Sequence, residues 1–132
     1  MAAIAIPSYM RFRDRALVTQ IASNLKTFGT AFQAYSFDND DNYPPDCHNS
    51  LPIGMEDYIS AKAFEDATPL GGRYNWEGPD SYPYAGISIF EPEKGMSVIE
   101  LLDSAIDDGD TDSGNFRVTW NGRPTYIIEE FN

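Results

Sequence analysis

One cysteine, one histidine and nine cationic side chains are the whole supply of those residue types in this chain of 132 residues. Each scarcity removes a class of function. Cys47 has no partner for an internal disulfide and cannot assemble a cysteine-rich zinc site. It leaves the redox compartment open, because an exported protein without disulfides and a cytosolic one look alike in this respect. His48 adjoins it in a proline-flanked stretch, with no second histidine for a relay; adjacent loop residues do not converge on one reacting atom. Both read as loop residues. Against the nine cations stand 21 acids and a net charge of -12, and an acidic body repels a phosphate backbone, so no nucleic-acid partner is expected. Also missing are a Gly-x-Ser-x-Gly elbow, a phosphate loop and a dinucleotide fingerprint. Carboxylate pairs could be drawn from so many acids that none is singled out. No catalytic residue, small-molecule ligand or organic cofactor is assigned, and the chain does not read as an enzyme.

Long hydrophobic runs are missing too. Ala2-Ala3-Ile4-Ala5-Ile6 is purely apolar, but a bilayer needs about 20 such residues. A basic n-region followed by an apolar h-region, as in a secretory signal, is not seen. The stretch reads as the end of a longer apolar segment, with Met1 an added start.

What is present suffices for one domain with a real core: 42% hydrophobic and 14% aromatic residues over this length argue against disorder. The charge is unevenly placed. Residues 1–35 hold four cations against Asp14, a surplus of +3, which leaves -15 for the remainder. From Ala2 to about Phe37 the pattern is helical, with Leu17, Ile21, Leu25, Phe28, Phe32 and Tyr35 on one stripe. Such a helix is roughly 50 Å long. Pro7 is expected to kink it near its start. Arg11, Arg13 and Arg15 precede the stripe, so the first half should protrude and the second half should be buried: a spine (residues 1–37) joined to a head (38–132) in one domain.

Asp38 to Asp46 is breaker-rich and must be loop. A short helix is expected at Met55–Ala61 and another at Met96–Ile106. Strands are expected at Arg73–Trp76, Tyr84–Phe90, Phe116–Trp120 and Thr125–Ile128, with Asn121-Gly122 a hairpin signal. The fold class is α+β: a long N-terminal helix packed on a small antiparallel sheet with a short inserted helix.

Three stretches carry a family resemblance. Ala2-Ala3-Ile4-Ala5-Ile6-Pro7-Ser8-Tyr9, running into Arg11 to Arg15, resembles the second half of the N-terminal segment of type IV pilins and type II secretion pseudopilins. Asn42-Tyr43-Pro44-Pro45 is similar to the linker that follows the family's helix. Thr68-Pro69-Leu70-Gly71-Gly72-Arg73-Tyr74-Asn75-Trp76 looks like the turn and strand of major pseudopilins. Residues 84–132 match in architecture alone. The resemblance implies a pilin-like fold and a structural fibre subunit that acts by polymerisation, with itself and other pilin-like subunits as partners. It also implies processing by a prepilin peptidase, methylation, and anchoring in the inner membrane through a fuller stem with the head in the periplasm or in a fibre outside it. In that setting Ala2, Ala3, Ile4, Ala5, Ile6 and Pro7 are the assembly stem. The apolar stem trades lipid for neighbouring stems. Arg11, Arg13 and Arg15 form a basic collar for acidic heads of neighbours, and Leu17, Ile21, Leu25, Phe28 and Phe32 make the head–spine core.

Two further groups of residues invite a functional reading. Asp108, Asp110 and Asp112 alternate as at the start of an EF-hand, a calcium arrangement, but the sixth-position Gly and twelfth-position Glu are missing, and an acidic turn explains them more simply. Trp76, Tyr82, Tyr84, Trp120 and Tyr126 fall at or near strands, where packing on the spine is the common fate; the Gly78–Tyr84 loop is the expected partner surface. The alternatives for the whole chain are a true pilin serving adhesion, motility or DNA uptake, and a soluble protein-binding module that dimerises through its N-terminal helix.

Overall fold

The computed structural model describes residues 2–93, 96–106, 115–119 and 122–131, with side chains from residue 13 onward except 96 and 97. Helix α1 (Ala2–Asp38) leads into α2 (Ala61–Glu65), β1 (Arg73–Glu77), β2 (Tyr84–Phe90), α3 (Met96–Ile106), β3 (Phe116–Val118) and β4 (Pro124–Glu130). The strands form one antiparallel sheet in the order β1-β2-β4-β3. The architecture is α+β, with α3 inserted between β2 and β3.

α1 is helical without a break through Pro7. It ends where Asp40 and Asp41 take left-handed backbone (φ 58° and 64°), a conformation Asp and Asn tolerate better than most residues. The closing turn is tied by the Asp41 amide to the Ser36 carbonyl (2.8 Å) and the Asn39 side-chain amide to the Tyr35 carbonyl (2.8 Å). Two otherwise orphaned carbonyls are thereby satisfied.

The seam between helix and sheet is aromatic. Phe32 lies flat on Trp76, with centroids 3.8 Å apart and planes 4° from parallel, and Phe28 meets Tyr74 edge-on at 5.0 Å. Phe64 from α2 closes the cluster against Phe28 at 5.3 Å. Ile21, Leu25, Phe28 and Phe32 are all buried, as are Ile87 and Ile89 of β2 and Val98, Ile99 and Leu102 of α3. Gly29 marks the closest approach to β4: a Cβ there would lie 3.0 Å from the Tyr126 ring. Leu17 is only half-buried, and Val18, at 2% exposure, is the first buried side chain described. The seam drifts around the helix, so one residue further on faces inward at its start.

Two expected elements differ. The helix expected at Met55–Ala61 is replaced up to Ser60 by a pair of turns, in which the Tyr58 and Ile59 amides both reach the Met55 carbonyl. The helix begins at Ala61, capped by the Ser60 hydroxyl accepting from the Ala63 amide. Met55 and Ile59 are still buried, because one turn's spacing satisfies the same apolar face without a helix. β3 is shorter than expected among the described residues, ending at Val118; Trp120 and Asn121 lie outside them.

Candidate functional site

The sheet has two unlike faces. Tyr74 and Trp76 meet α1, so Asn75 and Glu77 point the other way, opposite Ser88 and Gly86 of β2. That outer face holds a buried polar network. Glu77, with no exposed surface, accepts from the Tyr84 hydroxyl (2.5 Å) and from Arg123 Nη1 (3.1 Å). Arg123 also reaches the Tyr82 hydroxyl at 3.4 Å, and its guanidinium sits 4.9 Å from the centre of the Phe90 ring. Asn75 donates to Ser88 Oγ (3.1 Å) and accepts from the Asn49 amide (2.9 Å). Burial and the bond to Glu77 push the Tyr84 hydroxyl well above the usual phenol range. Each charged group has an opposite or hydrogen-bonding partner, which is the condition for keeping charge out of water. The network's chemistry is that of a clamp joining β1, β2 and the segment before β4.

A groove of about 340 Å³ opens beside the C-terminal end of α1. Its walls are the rings of Tyr43 and Phe131, with centroids 6.2 Å apart, together with Pro44, Pro45 and Pro79. Several bonds fix these walls. Tyr43 donates to Glu129 (2.9 Å), Trp76 Nε1 donates to the Pro44 carbonyl (2.9 Å), and the Phe131 amide donates to the Pro83 carbonyl (2.8 Å). Asp41 and Asp80 stand on the rim. Just behind it, Asp46 accepts from the Gly78 amide (3.1 Å), while its own amide donates to Asp80 (2.8 Å). Burial raises the Asp46 carboxyl above its ordinary value, and the Asp80 and Glu77 charges add to that against the Gly78 bond. Burial, then Glu129, likewise raises the Tyr43 phenol.

The residues expected to matter from sequence fall as follows. Ala2 to Pro7 and Arg11 lie in the first turns of α1. Arg13 and Arg15 are exposed, and neither has an ion-pair partner among the described residues. None of the described helices is long and apolar enough to cross a membrane. Trp76 and Tyr84 are buried, and Tyr82 and Tyr126 half-buried. In the Gly78–Tyr84 loop, Asp80, Ser81 and Pro83 are exposed. Cys47 Sγ lies 3.0 Å from Ser50 Oγ, and the His48 ring packs edge-on against Phe90 at 4.6 Å. Asp108, Asp110 and Asp112 lie outside the described residues, and among those described no cluster of three or more metal-ligating side chains occurs. Phe131 and Glu77 carry no signal in the sequence that marks them. Phe131 reaches Tyr43 only through the fold, and Glu77 is one acid among 21.

No protein-family model matches this chain, and no curated protein or solved structure is significantly similar to it.

Proposed function

We propose that this chain is the head and spine of a type IV pilin-like fibre subunit, of the pseudopilin kind that serves type II secretion, and that its activity is polymerisation. The observation that carries the reading is the division of α1. Its stretch from Val18 to Ser36 is the buried backbone of an α+β head, while Arg13 and Arg15 ahead of it are exposed. A helix with those two halves is what a fibre needs: one half holds the head, and the other is free to join its neighbours. The apolar Ala2–Ile6 segment, leading into Pro7 and the arginines, supplies the stem side of that division. In this reading the stem continues into the inner membrane, the head lies on the periplasmic side, and specificity resides on the head. The buried Glu77–Arg123 clamp serves rigidity, and catalysis has no part in the role.

Fractionation of the source cells tests this. The protein is expected with the inner membrane, and in sheared extracellular fibres when over-produced. Recovery in the cytosol alone, with no membrane-bound pool, would contradict it.

A further inference from the structure

We infer that the groove beside Tyr43 and Phe131 receives the Arg13–Arg15 segment of a second copy, making a head-to-tail contact. The inference rests on the fibre reading and assigns its polar contact to a surface. Two independent imbalances point to an external cation. Asp41 and Asp80 on the rim have no cationic partner among the described residues, and Arg13 and Arg15 have no acidic one. The groove also adjoins the C-terminal end of α1, whose last turn holds no basic residue. The negative end of the helix dipole is thus left uncompensated, and Asp38, Asp40 and Asp41 add to it. A guanidinium suits these walls, because it can lie against an aromatic face while its fork meets a carboxylate.

The contact cannot close within one molecule. Arg15 and the groove sit at opposite ends of the head-bound half of α1, about 35 Å apart at 1.5 Å per helical residue. A surface at one end meeting a different surface at the other is a heterologous interface, and such interfaces propagate as open assemblies unless the rotation closes a ring. Each added copy is displaced along the spine by about that length. The charges on both sides are exposed, so salt weakens the contact.

The test is cross-linking of the chain in a Cys47→Ser background, with Ala16→Cys and Asn42→Cys. These exposed positions flank the arginines and line the groove while leaving every charge in place. A flexible bis-maleimide at low salt is expected to give a ladder of dimers, trimers and longer species. The expected yield is about ten-fold over a control pairing Ala16→Cys with Ala105→Cys on α3, falling several-fold near 0.5 M salt, where the Debye length is roughly 4 Å. Adding Arg13→Glu and Arg15→Glu is expected to remove the ladder. A ladder no stronger than the control, or one that survives the arginine reversal, overturns the contact. A membrane-bound protein without the ladder keeps the fibre reading and discards this groove. A ladder from a protein found only in the cytosol does the reverse.

Discussion

Replacing Phe32 by alanine should be among the most costly single changes in the domain, and its size follows from the seam. The ring has no exposed surface, stacks on Trp76 at 3.8 Å, and lies 6.0 Å from the Phe64 ring. Truncating a fully buried Phe loses the transfer term and leaves a cavity that a rigid neighbourhood refills only in part, together about 3–5 kcal/mol. The neighbours here are rigid, with Trp76 pinned by its bond to the Pro44 carbonyl, so the upper half of that range is expected. Thermal melts followed by near-ultraviolet circular dichroism provide the assay, since loss of the stacked pair changes the tryptophan's asymmetric environment. For a domain of this size, about 4 kcal/mol corresponds to a fall in Tm of roughly 12–20 °C. The control is Phe37→Ala, one turn and a residue further along the same helix but 84% exposed, for which a change within about 0.5 kcal/mol is expected. Phe28→Ala, at 4% exposure, should resemble Phe32→Ala. Equal effects at positions 32 and 37 would refute the assignment of the seam.

Three further outcomes are expected. Gly72 has a left-handed backbone (φ 72°), and a Cβ there would lie 2.1 Å from the Phe90 carbonyl oxygen; Gly72→Ala should cost about 3 kcal/mol or more, read by urea midpoint. Arg123→Met leaves the Glu77 carboxylate buried without its cation, for a loss of about 2–4 kcal/mol that Glu77→Gln in the same chain should partly restore. The phenols of Tyr43, Tyr74 and Tyr84 are all raised above their ordinary value of 10.0, burial being the first cause in each. Since the fold favours the neutral phenol, the linked stability is complete below about pH 10 and is lost as pH climbs above that. Absorbance titration should therefore show these tyrosines ionising later than exposed ones, in step with alkaline unfolding; simultaneous ionisation near 10 in the folded protein would oppose it.

The spine was legible because a helix that buries one face must repeat its apolar residues near 3.6, and Ile21, Leu25, Phe28 and Phe32 do so. α3 falls at Met96–Ile106, as its apolar run and preceding Gly95 predict. β1 and β2 were readable from alternation between glycine turns. The helix expected at Met55–Ala61 starts late because one turn of apolar spacing serves a helix and a tight turn equally, and the capping Ser60 decides where the helix begins. The groove was not legible at all. Tyr43 and Phe131 stand at opposite ends of the head sequence, and only the return of β4 beside β2 brings them together. Glu77 was hidden for another reason: acids are abundant here, and burial of one by a distant Arg123 leaves no local pattern.

The most direct test of the fibre role is mass spectrometry of the N-terminal peptide of the protein as it occurs in its source cells. The account predicts a peptide whose first residue is N-methylated and which runs through an apolar stretch into Ala2. A peptide that starts at Met1, from a protein that never meets the membrane, would contradict the account and leave the basic segment of α1 without a fibre to join.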